Sequence, residues 1–188
     1  MAAVDPIHFE SVYKLFPSLT LLQVTDVCLY SAGANYREIG DLRGVSSETI
    51  KKSLEAAQKR LSIFSLQSLK VVFLSRLFIN LSLPSDRRSC NENLHADDFE
   101  LMLSDLCHFY PILPELSPRL ASFVLFYCAG YETDKISIIT QRYESEVSKG
   151  LDIALTKLNV GSLHSLRQLT LARLIINLTL GSLKRNKH

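Results

Sequence analysis

Two lysines in a stretch of helical spacing are the first candidates for chemistry in this chain of 188 residues. Lys51 and Lys52 stand near the start of residues 47–61, where apolar residues recur every three or four positions. If this helix enters a DNA major groove, the two ammonium groups can donate hydrogen bonds to O6 or N7 of guanine. Hydroxyl and backbone N–H groups at helix N-termini suit phosphate oxygens instead. Composition alone favours the plainer interpretation, a solvated helix face.

The neighbouring sequence predicts the helices that must hold these lysines in place. A helix over 21–32 is followed by a second helix over about 35–43, which Gly44 ends. The third helix covers 47–61 and turns its lysines outward, because its apolar residues form one narrow stripe. A fourth helix over 65–82 is so densely apolar that we expect it to pack on a partner as well.

The turn before the third helix is expected to be tight. Ile39 and Leu42 should face inward from the second helix, and Val45 should enter the core just after the turn. Either Ser46 or Ser47 can accept a hydrogen bond from the first free N–H groups of the third helix.

The chain contains an internal duplication. Residues 17–83 align without a gap with residues 114–180, and 22 of the 67 aligned positions are identical. The segments "SRLFINLSL" and "ARLIINLTL" are one example of this alignment. Most positions that are identical in the two copies are apolar or small. The sequence therefore predicts two domains, 1–84 and 97–188, with a linker assigned to 85–96, because "SLPSDRRSCNEN" between the copies collects Pro, Ser, Asn and charged residues.

The first copy resembles a known family of DNA-binding domains. Its segments "AGANYREIG", "GVSSETIKKSL" and "RLSIFSLQSL" are similar to the LuxR/GerE-type helix-turn-helix domain. The resemblance covers about residues 19–75, and more faintly 116–172 in the second copy. It departs from the usual pattern at Leu42 and Arg43, which stand in reversed order, and at Ser53, which replaces the usual histidine.

This resemblance implies a bacterial transcription regulator and assigns a role to eight residues. The positions at which the family reads bases are Lys51, Lys52 and Glu55. The positions at which it contacts phosphates are Arg37, Ser47, Thr49, Ser65 and Gln67.

The second copy looks like a degenerate DNA-binding domain. Ser148 and Lys149 stand where the first copy has its two lysines, and acidic residues join them on the same outer face: Glu144, Glu146 and Asp152. The first copy carries eight basic against five acidic residues, a net charge of +3, and the second copy seven against six, a net charge of +1. Acidic side chains would repel phosphate, so we expect the second copy to serve as a scaffold.

Domains of this family usually pair through their last helix. Helix 65–82 could therefore pack on helix 162–179 within one chain, giving a monomeric pseudo-dimer. The alternative is that each helix fills only its own domain, and a homodimer stays open. The fold class expected is thus all-α, with two tandem four- to five-helix helix-turn-helix domains. The basic tail 184–188 either contacts phosphates or is solvated.

Several classes of protein are disfavoured. There is no glycine-rich phosphate loop and no nucleophile motif, so we expect neither enzymatic activity nor a cofactor. No signal peptide or membrane span is indicated, and the most apolar stretch is interrupted by Lys70 and Arg76.

Cysteine usage points to a reducing cytoplasm. Cys28 and Cys128 lie in apolar helical patterns, where a reduced thiol behaves as a small hydrophobe. A zinc site is disfavoured because its nearest candidates show no Cys-x-x-Cys spacing: Cys90, His95, Cys107 and His108.

Two functions remain open. The first is a sequence-specific regulator that binds double-stranded DNA through the first copy. The second is an adaptor or anti-activator that engages RNA polymerase or another regulator and has lost DNA binding. The overall net charge of +2 and the acidic second copy favour the second function. The exposed lysines and the intact third helix favour the first.

Overall fold

A computed structural model describes residues 10–82 and 112–185, and side chains within 12–82 and 112–179. The predicted linker 85–96 lies outside the described residues. So do residues 97–111 of the predicted second domain and the side chains of the basic tail.

The described chain is all-α, as predicted, and no strand occurs in residues 10–82 or 112–185. The first five helices are α1 (Glu10–Tyr13), α2 (Leu21–Ser31), α3 (Tyr36–Arg43), α4 (Ser47–Arg60) and α5 (Leu66–Ser82). The next four are α6 (Pro118–Cys128), α7 (Thr133–Thr140), α8 (Glu144–Lys157) and α9 (Leu163–Arg185).

The backbone repeats with the sequence offset of 97 residues. Helices α6, α7 and α8 begin and end 97 residues after α2, α3 and α4, and α9 begins 97 residues after α5. The left-handed positions recur in pairs at the same offset: Gly33 and Gly130 (φ 112° and 90°), Gly44 and Gln141 (67° and 52°), Ser62 and Asn159 (53° each). The two copies therefore share helix lengths and turn conformations as well as residues.

The buried residues repeat in the same way. Fully or almost fully buried pairs include Leu19/Leu116, Val27/Val124, Ile39/Ile136, Leu54/Leu151 and Leu69/Leu166. The duplication therefore preserves which positions are buried. Cys28 and Cys128 are free thiols, and burial raises the pKa of Cys128 to about 11.

Contacts divide the chain into two compact units, Met1–Leu74 and Ser75–His188. The division falls inside α5. In the second unit, Arg76 Nε donates to the carbonyl oxygen of Ala129 over 2.6 Å, and its guanidinium lies 5.3 Å from the ring centroid of Tyr131. The predicted pairing of helix 65–82 with helix 162–179 stays a prediction.

Polar side chains cap the helices of the first unit. Thr20 accepts from the backbone N–H of Gln23 at α2, and Asn35 accepts from that of Glu38 at α3, with a return bond in each case. Of the two serines considered for the third helix, Ser46 is the cap, since its Oγ accepts from Thr49 N over 3.1 Å. These bonds satisfy N–H groups that otherwise have no partner within the helix.

Two predictions about the turn before α4 are wrong. Leu42 and Val45 do not enter the core, because their side chains are 41% and 36% exposed. The turn lies so close to α3 that a Cβ on Gly40 would stand 2.6 Å from the carbonyl oxygen of Val45. The backbone of the turn therefore makes a close contact with α3 at Gly40, while the side chain of Val45 stays exposed.

Candidate nucleic-acid interface

The residues predicted to read bases share the outer face of α4. Lys51, Lys52 and Glu55 are all exposed, whereas Ile50 and Leu54 on the opposite face are fully buried. The helix follows α3 through the left-handed Gly44, whose N–H donates to the carbonyl oxygen of Gly40. Helix α3, the turn at Gly44 and the exposed helix α4 together form the arrangement in which α4 can meet a DNA groove.

The residues predicted to contact phosphates are also exposed, at the starts of three helices. Arg37 lies in the first turn of α3, and Ser47 and Thr49 lie in the first turn of α4. Ser65 precedes α5, where its Oγ accepts from Ser68 N over 3.1 Å, and Gln67 lies within the first turn. Such termini present backbone N–H groups and a positive dipole end to an anion.

Two of these hydroxyls already take part in caps. Thr49 Oγ1 lies 2.8 Å from Ser46 Oγ, and Ser65 Oγ donates to Ser68 Oγ over 2.9 Å. A phosphate at either position would share a hydroxyl that stabilises the helix start.

A buried carboxylate joins the three helices that form this surface. Asp26 on α2 is 1% exposed, and its two oxygens accept from Arg43 Nη1 of α3 and Ser53 Oγ of α4, each over 2.5 Å. Arg43 Nη1 also lies 3.4 Å from the carbonyl oxygen of Leu22. Because a buried charge without partners costs several kcal/mol, this set fixes the position of α3 and α4 on α2.

Sequence reasoning missed Asp26. The signal was an acidic residue inside the apolar helical pattern "LLQVTDVCLY". Its two partners, Arg43 and Ser53, stand at two of the positions where the sequence departs from the LuxR/GerE pattern that it resembles.

The second repeat fills the equivalent space with an aromatic ring. Phe123, Thr140 and Gly150 stand 97 residues after the three members of the polar set. Phe123 is 2% exposed, and a Cβ on Gly150 would lie 2.6 Å from its Cδ2 atom. Glycine is thus required on α8 by the close approach of the ring.

We therefore expect Gly150→Ala to lower the free energy of unfolding by up to about 2 kcal/mol. Alanine favours a helix by about 1 kcal/mol over glycine, but overpacking of a filled core costs about 1–3 kcal/mol. Urea denaturation followed by circular dichroism measures the change. The matched variant is Ser53→Ala in the first repeat, which fits sterically but removes a hydrogen bond to Asp26. A stabilised Gly150→Ala protein would contradict the packing described for Phe123.

A second residue missed by sequence reasoning is Tyr36, at the start of α3. Its ring stacks near that of Tyr30, with centroids 6.2 Å apart. Burial and the nearby Tyr30 raise the pKa of Tyr36, the charge of Lys51 lowers it, and that of Glu55 raises it. The phenol is therefore a neutral hydrogen-bond donor beside two predicted base-reading residues.

The two repeats differ clearly in net charge at the eight positions predicted to contact DNA. In the first repeat they carry a net charge of +2, from Arg37, Lys51 and Lys52 against Glu55. Their counterparts in the second repeat carry a net charge of −3, with neutral His: Asp134, Glu144, Glu146, Ser148, Lys149, Asp152, Ser162 and His164. The contrast between the repeats is larger here than over their full lengths.

The whole exposed surface of α3 and α4 is closer to neutral. Its exposed basic side chains are Arg37, Lys51, Lys52, Lys59 and Arg60. Its exposed acidic side chains are Glu38, Asp41, Glu48 and Glu55. The positive charge is thus local to the predicted positions.

No three His, Cys, Asp or Glu side chains converge as metal ligands within the described ranges, and the zinc candidates Cys90, His95, Cys107 and His108 lie outside them. Among the described helices, none combines the length and apolar character needed to cross a bilayer. Comparison with protein families, curated proteins and solved structures finds no match to this chain.

Proposed function

We propose that this chain is a bacterial transcription regulator that binds double-stranded DNA by placing α4 in the major groove. Lys51, Lys52 and Glu55 read base edges, and the five residues predicted to contact phosphates position the helix. The observation that supports this most is that all eight positions are exposed, with a net charge of +2. Base contacts would provide specificity and phosphate contacts would provide much of the affinity.

The second repeat acts as a partner of the first rather than as a second reader. Its counterpart positions carry a net charge of −3 and would be repelled by phosphate. In this proposal the active species is a monomeric pseudo-dimer in the cytoplasm, and a homodimer is the alternative assembly. RNA polymerase or another regulator would be its protein partner.

A second function is favoured by a different observation. The exposed surface of α3 and α4 carries five basic and four acidic side chains. This is a small excess of positive charge for a protein that binds phosphates. An adaptor or anti-activator that contacts another regulator through this surface would need no greater positive charge.

Selection from a pool of DNA duplexes with a randomised centre separates the two functions. The full chain is incubated with the pool at two salt concentrations, and retained duplexes are sequenced. A regulator that reads bases is expected to enrich one motif, because each wrong base pair costs about 1–3 kcal/mol. A pool that is not retained at either salt concentration would contradict DNA binding and favour the adaptor.

A further inference from the structure

The most exposed aromatic side chain of the described residues lies between α4 and α5. Phe64 is 97% exposed, although its neighbour Ile63 is buried. The loop begins at Ser62, whose positive φ of 53° is shared by Asn159 in the second repeat. The second repeat has Gly161 where the first has Phe64, so only the first repeat carries this projecting ring.

The second repeat has a cleft whose two large hydrophobic side chains have polar counterparts in the first repeat. The cleft, which we call the α7–α8 cleft, has a volume of about 520 Å³ and is lined by Ser137, Ile138, Gln141, Arg142, Tyr143 and Glu146. Ile138 and Tyr143 are 70% and 80% exposed. The first repeat has Asp41 and Ser46 at these two positions, so its equivalent surface is polar.

Charge makes the loop and the cleft complementary. Lys59, Arg60 and Lys70 all lie within six residues of Phe64, and no acidic residue occurs from 56 to 82. Residues 132–152, which form and flank the cleft, contain five acidic and three basic residues, a net charge of −2. Opposite charges around an apolar anchor favour the encounter of the two surfaces.

We propose that Phe64 of one copy of this chain inserts between Ile138 and Tyr143 of a second copy. The exposed aromatic ring lies on the first repeat and the cleft lies on the second, in a segment of net negative charge, so the contact is head-to-tail. Unless it closes into a cyclic oligomer, a head-to-tail contact leaves one Phe64 and one cleft open in each complex, and further copies can add. The contact is small, so association is weak and appears only as protein concentration rises.

Sedimentation velocity of the full chain without DNA tests this self-association, and its result does not depend on the proposed function. We expect the weight-average sedimentation coefficient of the unchanged chain to rise over a concentration range from about 5 to about 500 µM. Phe64→Ala removes the ring, and the double variant Ile138→Asp, Tyr143→Ser gives the cleft the residues of the first repeat. Each should sediment as a monomer over the whole range.

A mixture of the two variants provides the decisive test. Phe64→Ala keeps its cleft, and the cleft variant keeps its Phe64, so a 1:1 mixture should form a dimer that cannot grow further. Leu22→Ala and Ile153→Ala remove other exposed apolar side chains, one from each repeat, and should associate like the unchanged chain.

Three results would overturn the proposal. They are an unchanged chain that stays monomeric, a mixture that stays monomeric, and self-association that survives Phe64→Ala. If Phe64→Ala instead weakens only binding to DNA, the ring contacts nucleic acid and the cleft has another role. Circular dichroism spectra of the variants, expected to match that of the unchanged chain, verify that each one is folded.

Discussion

Asp26→Ala is expected to lower the free energy of unfolding by about 3–5 kcal/mol. The change leaves Arg43 without its carboxylate although its side chain is only 14% exposed, and it also removes the acceptor of Ser53. Removing one member of a buried ion pair costs this much because the remaining charge is left desolvated. Urea denaturation of the full chain, followed by circular dichroism, measures the loss.

The second repeat supplies the matched control. Asp26→Phe alone should also destabilise, because the ring would meet Ser53 and leave Arg43 unpaired. Combining it with Arg43→Thr and Ser53→Gly installs the set found at Phe123, Thr140 and Gly150, and should recover most of the loss. If Asp26→Ala costs less than about 1 kcal/mol, the carboxylate does not hold the three helices together.

The double variant Lys51→Ala, Lys52→Ala is expected to weaken binding to the selected duplex by about 30-fold or more. Each good contact to a base is worth about 1–3 kcal/mol, and two are lost. Both side chains are exposed, and alanine favours a helix, so the free energy of unfolding should change little. Fluorescence anisotropy with a labelled duplex measures the affinity.

Lys149→Ala is the control for this prediction. Lys149 is the counterpart of Lys52, equally exposed, and lies among acidic residues of the second repeat. It should change the affinity less than about threefold, as a surface substitution away from the contact does. An equal loss for Lys149→Ala would mean that the lysines act only through general charge.

The helices could be predicted from the sequence because the local signals for where each helix begins and ends agree with one another. Asn35, Gly44 and Ser46 end or begin helices by bonding and backbone conformations that depend on neighbouring residues only. The outward position of Lys51 likewise follows from the apolar stripe on the other side of α4.

Contacts between helices could not be predicted in the same way. Asp26 meets Arg43 and Ser53 only after three helices have packed, and periodicity gives no distance between them. Hydrophobicity alone also gave a wrong prediction for Leu42 and Val45. Both side chains are apolar but exposed, and the sequence does not show how closely the turn approaches α3.

The salt dependence of binding tests the central claim, that α4 presents its lysines to a DNA duplex. The affinity of the unchanged chain for the selected duplex should fall with a slope of about −1 in a plot of log K against log salt concentration, since Arg37 is the one basic residue among the predicted phosphate contacts and each neutralised phosphate contributes about −0.9. The double variant Lys51→Ala, Lys52→Ala should bind more weakly at every salt concentration with a similar slope, because its two lysines are assigned to bases. An affinity that does not depend on salt, or equal affinities for the two proteins at every salt concentration, would contradict the claim.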